Sequence, residues 1–82
     1  MELQEEIMEK LIQRTAEVFK MNPAELTAET RFVKDLKAKS VNMVKIITVL
    51  EDEFDVEIPF MQIRRKESIG EAAAFIAELC SI

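Results

Sequence analysis

The chain contains no histidine, tryptophan or tyrosine, one glycine, two prolines and one cysteine. Without an imidazole, and with a single thiol at Cys80, it lacks most residues used as general bases near neutral pH or as soft metal ligands. Catalysis by the chain alone is therefore not expected. One cysteine cannot close an internal disulfide, and no apolar stretch approaches the length of a membrane span. The acidic opening Met1-Glu2-Leu3-Gln4-Glu5-Glu6 is unlike a signal or transit peptide, so the cytoplasm is the expected compartment. Little glycine and proline, with 49% apolar and 33% charged residues, excludes a disordered or fibrous chain and points to a globular helical one. At 82 residues it is expected to be a single domain, 1–82, too short for a cleft between lobes or a Rossmann-type fold.

The net charge of −5 argues against nucleic-acid binding, which draws affinity from excess lysine and arginine. The charge is unevenly distributed. Seven acids and three bases leave residues 1–30 at −4, five bases and one acid bring residues 31–50 to +4, and eight acids and three bases leave residues 51–82 at −5. A basic middle thus lies between two acidic flanks.

Leu3, Ile7, Leu11 and Val18, with Met8, Ile12 and Phe19 alongside, have the three-to-four spacing of an amphipathic helix from Glu2 to Phe19. Asn22-Pro23-Ala24-Glu25 is a helix start with no periodic run behind it, which predicts a single turn inside a loop. From Thr27 to Lys39 neither period is clear, and Phe32, Val33 and Leu36 are expected to pin a long loop to the core. Ser40 is the predicted N-cap of a helix running to about Phe54. Met43, Val44, Ile46, Ile47, Leu50 and Phe54 form its core stripe, while Val41 and Val49 fall among Asn42, Lys45, Thr48 and Asp52. Those two valines are either a contact surface or ordinary exposed residues. Pro59 is expected to open a short helix through Ile63. Ser68-Ile69-Gly70-Glu71 reads as a capping box for a last helix with Ile69, Ala72, Ala73, Ile76, Leu79 and Cys80 along its stripe. The run of Glu51, Asp52, Glu53, Asp55 and Glu57 lacks the glycine-bearing turn of a calcium loop and is expected to be a solvated acidic face. The five methionines are either core gap-fillers or part of a deformable interior.

Phe32-Val33-Lys34-Asp35-Leu36-Lys37-Ala38-Lys39-Ser40-Val41, followed by Leu50-Glu51-Asp52-Glu53-Phe54-Asp55-Val56-Glu57-Ile58-Pro59, resembles the acyl carrier proteins. Their usual pattern is Phe-x-x-Asp-Leu-Gly-x-Asp-Ser-Leu, then Leu-Glu-x-x-Phe-x-x-x-Ile-Pro. The resemblance runs essentially end to end, close in the second motif and partial in the first. It implies an all-α four-helix bundle of acyl-carrier type, with three long helices, one short helix and a long loop between the first two. It also implies a non-catalytic carrier of acyl thioesters on 4'-phosphopantetheine, covalently attached at Ser40, in fatty acid, lipid or polyketide synthesis. A phosphodiester at a helix start has physical sense, because unpaired N–H groups and the positive end of the helix dipole favour an anion.

The implied partners are a phosphopantetheinyl transferase and acyl-loading, synthase or acyltransferase enzymes, with the carrier a monomer. The expected contact face comprises Lys37, Lys39, Val41, Asn42, Lys45, Thr48, Val49 and Asp52, and the expected acyl pocket Ile46, Ile47, Leu50, Phe54, Ile63 and Ile76. Lys37, Lys39 and Val41 stand where the family has Gly, Asp and Leu, and Asn42 and Lys45 where it presents acids. Basic-patched partners of ordinary carriers should be disfavoured at this end. Two alternatives remain beside a specialised carrier: an unmodified interaction module built on the same fold, and an aminoacyl or peptidyl carrier.

Overall fold

The spacing of Ile7, Leu11 and Thr15 turns one stripe of the first helix inward. In the computed structural model, which describes residues 3–81, that helix is α1, Leu3–Phe19, with Ile7, Leu11, Thr15 and Ala16 buried. The expected start at Glu2 lies outside the described residues. A 3-10 turn, Pro23–Glu25, follows, its first amide held by Asn22 Oδ1 at 2.9 Å from Ala24 N. Three further helices complete the described chain: α2, Ser40–Phe54; α3, Phe60–Ile63; and α4, Ile69–Cys80. The architecture is the all-helical bundle expected, with three long helices and one short. The short helix begins one residue later than expected, with Pro59 as its extended N-cap.

α1 packs along both α2 and α4. The core joins Ile7 and Leu11 to Ile46 and Leu50 of α2, Ile63 of α3 and Ile69, Ala72, Ala73 and Ile76 of α4. Each large side chain buried there contributes about 1.5–3 kcal/mol against a large conformational-entropy cost. A domain of this size therefore ends only a few kcal/mol stable. Among the described residues one side-chain polar group is enclosed without a partner: Thr15 Oγ1, in a residue with no exposure. At the rim, Arg14 of α1 donates to Glu53 of α2, from Nε at 3.0 Å, and pairs with Glu17 at 2.8 Å. The Glu53 carboxylate holds the guanidinium further toward its charged form.

The loop 20–39 is sewn to the start of α4. Phe32 N donates to Glu67 O at 3.0 Å, Ile69 N to Thr30 O at 3.0 Å and Gly70 N to Ala28 O at 2.9 Å, around an antiparallel bridge between Arg31 and Ser68. Ser68 is the N-cap expected, its Oγ accepting from Glu71 N while Glu71 Oε2 accepts from Ser68 N and Glu67 N. Every amide of the first turn of α4 thereby has an acceptor. Glycine eases the close approach at the second helical position, because a Cβ on Gly70 would stand 3.1 Å from both Cβ and O of Ala28, so the loop would have to give by a few tenths of an ångström.

Phe32 is buried and Leu36 packs against the core, but Val33, expected beside them, is 67% exposed. Residues 31–37 fold into a tight turn, with Asp35 N and Leu36 N both bonded to Arg31 O, and only Phe32 and Leu36, four residues apart, reach the interior. Val44 is likewise corrected from core to surface, at 46% exposed. It lies roughly 110° around the wheel from the centre of the buried stripe, as far as Val49 on the other side. Phe54 is half-buried at the edge of the core, and Met61 is an exposed exception among methionines that otherwise pack inside at Met8, Met21 and Met43.

The turn ends with Lys37 in the left-handed region at φ 56°. Lys39 follows as the extended N-cap of α2, φ −106° and ψ 167°. Ser40 is thus the first helical residue and not the cap. These are the two positions at which the resembled family has glycine and aspartate, the residues best suited to a positive φ and to an N-cap. A lysine ammonium has no acceptor with which to cap a helix. Lys37→Gly should raise stability by about 0.5–1 kcal/mol, the left-handed penalty less the added freedom of the unfolded chain. Lys39→Asp should raise it by about 1 kcal/mol through the missing cap. Thermal melts of each variant check this, with a shift of about 4–8 °C per kcal/mol expected; an unchanged or lowered melting temperature for both would contradict it.

Candidate functional site

The backbone stitch that closes α4 leaves α2 open. Asn42 N and Met43 N donate to Lys39 O at 3.0 and 3.1 Å, whereas among the described residues the amides of Ser40 and Val41 have no acceptor. Two N–H groups, both of exposed residues, are therefore unpaired among the described residues at the positive end of a fifteen-residue helix. Ser40 itself is exposed, and its hydroxyl has no hydrogen-bond partner among the described residues. A serine in the N-cap position would have its oxygen engaged by a backbone amide. One position later, the hydroxyl is uncommitted.

The charges around this helix start are unusual. No acid stands in the first turn of α2, and Lys37, Lys39 and Lys45 are all exposed near it. Cations at a helix N-terminus oppose the dipole. The same arrangement suits a phosphodiester, which would bring negative charge to two free amides and to lysines on either side. By the chemistry of its donors, the site fits the group that the resemblance implies.

The expected contact residues are brought together on one exposed side. Val41, Lys45, Thr48, Val49 and Asp52 share the outer face of α2, and Val44 joins them. Lys37 and Lys39 lie at its leading end. Asn42 differs: it is half-buried, and its Oδ1 accepts from Lys39 N at 2.9 Å, tying residue 39 to the first turn. Its polar group is engaged in shaping the helix start.

The expected pocket residues are also together, as packed interior. Ile46, Ile47, Leu50, Ile63 and Ile76 are buried in one cluster and Phe54 packs against it. The acidic run beyond them is less solvated than the sequence implies. Glu51 Oε2 accepts from Ile58 N at 2.7 Å, closing the α2–α3 connection. Glu53 is paired with Arg14, leaving Asp52, Asp55 and Glu57 exposed. Cys80 is half-buried against the core, and burial pushes its thiol pKa up, which disfavours the thiolate. A second set of cations, Arg64, Arg65 and Lys66, is hidden in the block charges because the acids of residues 51–82 outweigh it. Three consecutive bases are its visible signal.

The family model for the phosphopantetheine attachment site matches residues 9–76. Similar proteins include the acyl carrier protein of Lactobacillus acidophilus, 36% identical over 73 residues that cover 89% of this chain and 91% of its own. The acyl carrier protein of Rhodococcus erythropolis is 36% identical over 93% of this chain and 84% of its own. The meromycolate extension acyl carrier protein of Mycolicibacterium smegmatis is 37% identical over 93% of this chain and 77% of its own. No described helix is long and apolar enough to cross a membrane. A helical bundle with an uncommitted serine at an open helix start, matched over most of its length by this family model and these relatives, belongs to the acyl carrier protein family, which carries acyl groups on covalently attached 4'-phosphopantetheine in fatty acid or related biosynthesis.

Proposed function

We propose that Ser40 is the attachment residue and that residues 1–82 act as one carrier domain with no catalytic activity of its own. The observation that carries this reading is the uncommitted Ser40 hydroxyl beside two unpaired amides and flanking lysines. When attached, the phosphopantetheine thiol supplies the thioester that holds an acyl group. The chain's own residues then do three things. The amides of Ser40 and Val41, with Lys37 and Lys39, hold the phosphate. The outer face of α2, Val41, Lys45, Thr48, Val49 and Asp52, meets a phosphopantetheinyl transferase and the acyl-loading, synthase or acyltransferase enzymes. The cluster of Ile46, Ile47, Leu50, Phe54, Ile63 and Ile76 parts to admit an acyl chain. We assign the carrier to the cytoplasm, as a monomer; a chain with one cysteine has no disulfide to form there.

Co-expression with a broad-specificity phosphopantetheinyl transferase should add the mass of the arm to the protein and not to Ser40→Ala, as read by intact-mass spectrometry. No gain with any transferase, including one from the source organism, would favour an unmodified interaction module, for which the lysines replacing the family's Gly and Asp are the specific observation.

Electrostatics predicts a second outcome. Adding a phosphate to a helix start ringed by cations removes an unfavourable field, so the modified protein should be more stable than the unmodified one by about 0.5–2 kcal/mol. The gain should shrink as salt rises from about 50 to about 500 mM. Equal melting temperatures at low salt would remove the phosphate from the amides and lysines proposed to hold it.

Cargo length supplies a third. An acyl chain entering the core adds about 0.8 kcal/mol per buried methylene, offset by the cost of parting packed side chains. Acylated protein should melt higher with longer chains until the space is full. Ile47→Phe should shorten the longest stabilising chain, and Val49→Ala should leave it alone. A melting temperature independent of chain length would put the cargo outside the bundle.

A further inference from the structure

The stitch between the loop and α4 does more than anchor the loop. It sets residues 31–34 against residues 64–67 and forms a cleft of about 340 Å3 lined by Arg31, Val33, Lys34, Arg64, Arg65, Lys66 and Glu67. Five cations and one carboxylate meet there, on a chain whose net charge is −5. Arg14 at the α1–α2 rim pairs with two carboxylates, yet among the described residues no side-chain ion pair neutralises any of these five. Nearby Glu71 is committed to the amides of Glu67 and Ser68. Lys66 Nζ lies 5.2 Å from the Phe75 ring centroid, but the other four have no such contact among the described residues, and like charges held together are unfavourable in the free protein, where the backbone bonds of Phe32 and Ile69 hold them so.

We propose that this cleft docks a protruding acidic segment of a partner enzyme. The inference rests on the carrier reading for its purpose, since such a contact would hold the partner while Ser40 presents its arm. The location fits: Ala38 N donates to Phe32 O at 2.8 Å, and Ala38 is two residues, about 7 Å of chain, from Ser40. Charge complementarity specifies acid on the partner, and two exposed apolar side chains specify some apolar contact beside it. Val33 is 67% exposed within the cleft, and Met61 is 61% exposed one turn before Arg64, whose Nη1 lies 4.0 Å from its sulfur. Concavity selects a protruding segment over a flat bilayer, which would touch only the rims. A chain of net −5 is also repelled as a whole by an extended anionic surface, whereas a local acidic segment feels mainly the charges within a Debye length of about 10 Å. The contact is distinct from the outer face of α2 and reverses the usual polarity between carrier and enzyme.

The test uses the full chain, labelled for residue-resolved nuclear magnetic resonance, and a short synthetic peptide of repeating Glu-Glu-Leu. Amide signals of residues 31–34 and 64–67 should shift saturably with this peptide and not with its Gln-Gln-Leu counterpart. The affinity should fall about tenfold in Lys34→Gln/Arg64→Gln/Arg65→Gln, and again as salt rises from about 50 to about 200 mM. Lys39→Gln/Lys45→Gln should weaken binding less than the cleft variant does, and Ser40→Ala should bind as the parent does, which separates this outcome from any failure of Ser40 to be modified. Circular dichroism confirms folding, and if the triple variant unfolds, Lys34→Gln and Arg64→Gln alone should each cost about two- to threefold. Equal binding of both peptides, or loss in the Lys39/Lys45 variant instead, overturns the proposal. So does inorganic phosphate matching the peptide in strength at the same signals, which would make the cleft a simple anion site. Binding to vesicles of phosphatidylcholine and phosphatidylglycerol without binding to the peptide would assign the cleft to a lipid surface and overturn it equally.

Discussion

The antiparallel stitch between residues 28–32 and 67–70 is the constraint from which the rest of the molecule follows. It supplies acceptors for the first two amides of α4, which a helix start cannot provide for itself. It also fixes a loop whose own sequence has no regular period. With Phe32 held by Glu67 and buried, the turn of residues 31–37 has a rigid base, and Phe32 O in turn receives the amide of Ala38. The chain then enters α2 at a determined residue. The orientation of one helix end is thus set by a backbone contact made with another, and Ser40 stands where that path delivers it.

The two long C-terminal helices begin in opposite ways, and the contrast separates structure from function. At α4, Ser68, Glu71, Thr30 and Ala28 engage every first-turn amide, leaving nothing for a ligand. At α2, an N-cap lysine offers no acceptor, Asn42 reaches back only to Lys39 N, and two amides stay free. Positive φ at Lys37 and cations facing a helix dipole add to the cost of this end. A fold only a few kcal/mol stable retains that cost where it leaves room for an anion.

Much of this was legible in the sequence, and what was not has definite causes. Amphipathic periods marked α1, α2 and α4, and the Ser68–Glu71 capping box was readable because both partners lie within one turn. Ser40 was misplaced by one residue because serine favours the N-cap, while the deciding contacts, Asn42 to Lys39 and Ala38 to Phe32, depend on the fold. The wheel places Val49 outside the core stripe, and Val44 lies equally far from its centre on the other side, so the apolar character of Val44 and not its angle drew it into the stripe. Glu51 and Glu53 read as solvated acids, but Glu51 accepts the Ile58 amide seven residues away and Glu53 meets an arginine thirty-nine residues earlier. The basic cleft escaped for the same reason: its two halves lie in separate stretches of sequence, one of them within a segment whose net charge is negative.

Taken together, the charges near the start of α2 and toward its far end differ in predominant sign, although Glu29, Asp35, Glu67 and Glu71 are also exposed about the loop–α4 junction. Around Ser40 and the loop–α4 junction the exposed cations are Arg31, Lys34, Lys37, Lys39, Lys45, Arg64 and Arg65, while Asp52, Asp55 and Glu57 stand exposed toward the far end of α2 and beyond. A partner approaching Ser40 meets positive potential first and negative potential further along the same helix. On the proposed carrier reading, the first field would steer association and the second align it, because a partner of uniform charge would match one region and be repelled by the other. Selectivity of this kind needs no enlargement of an 82-residue core, since it depends on which side chains occupy exposed positions of a bundle whose interior they do not enter.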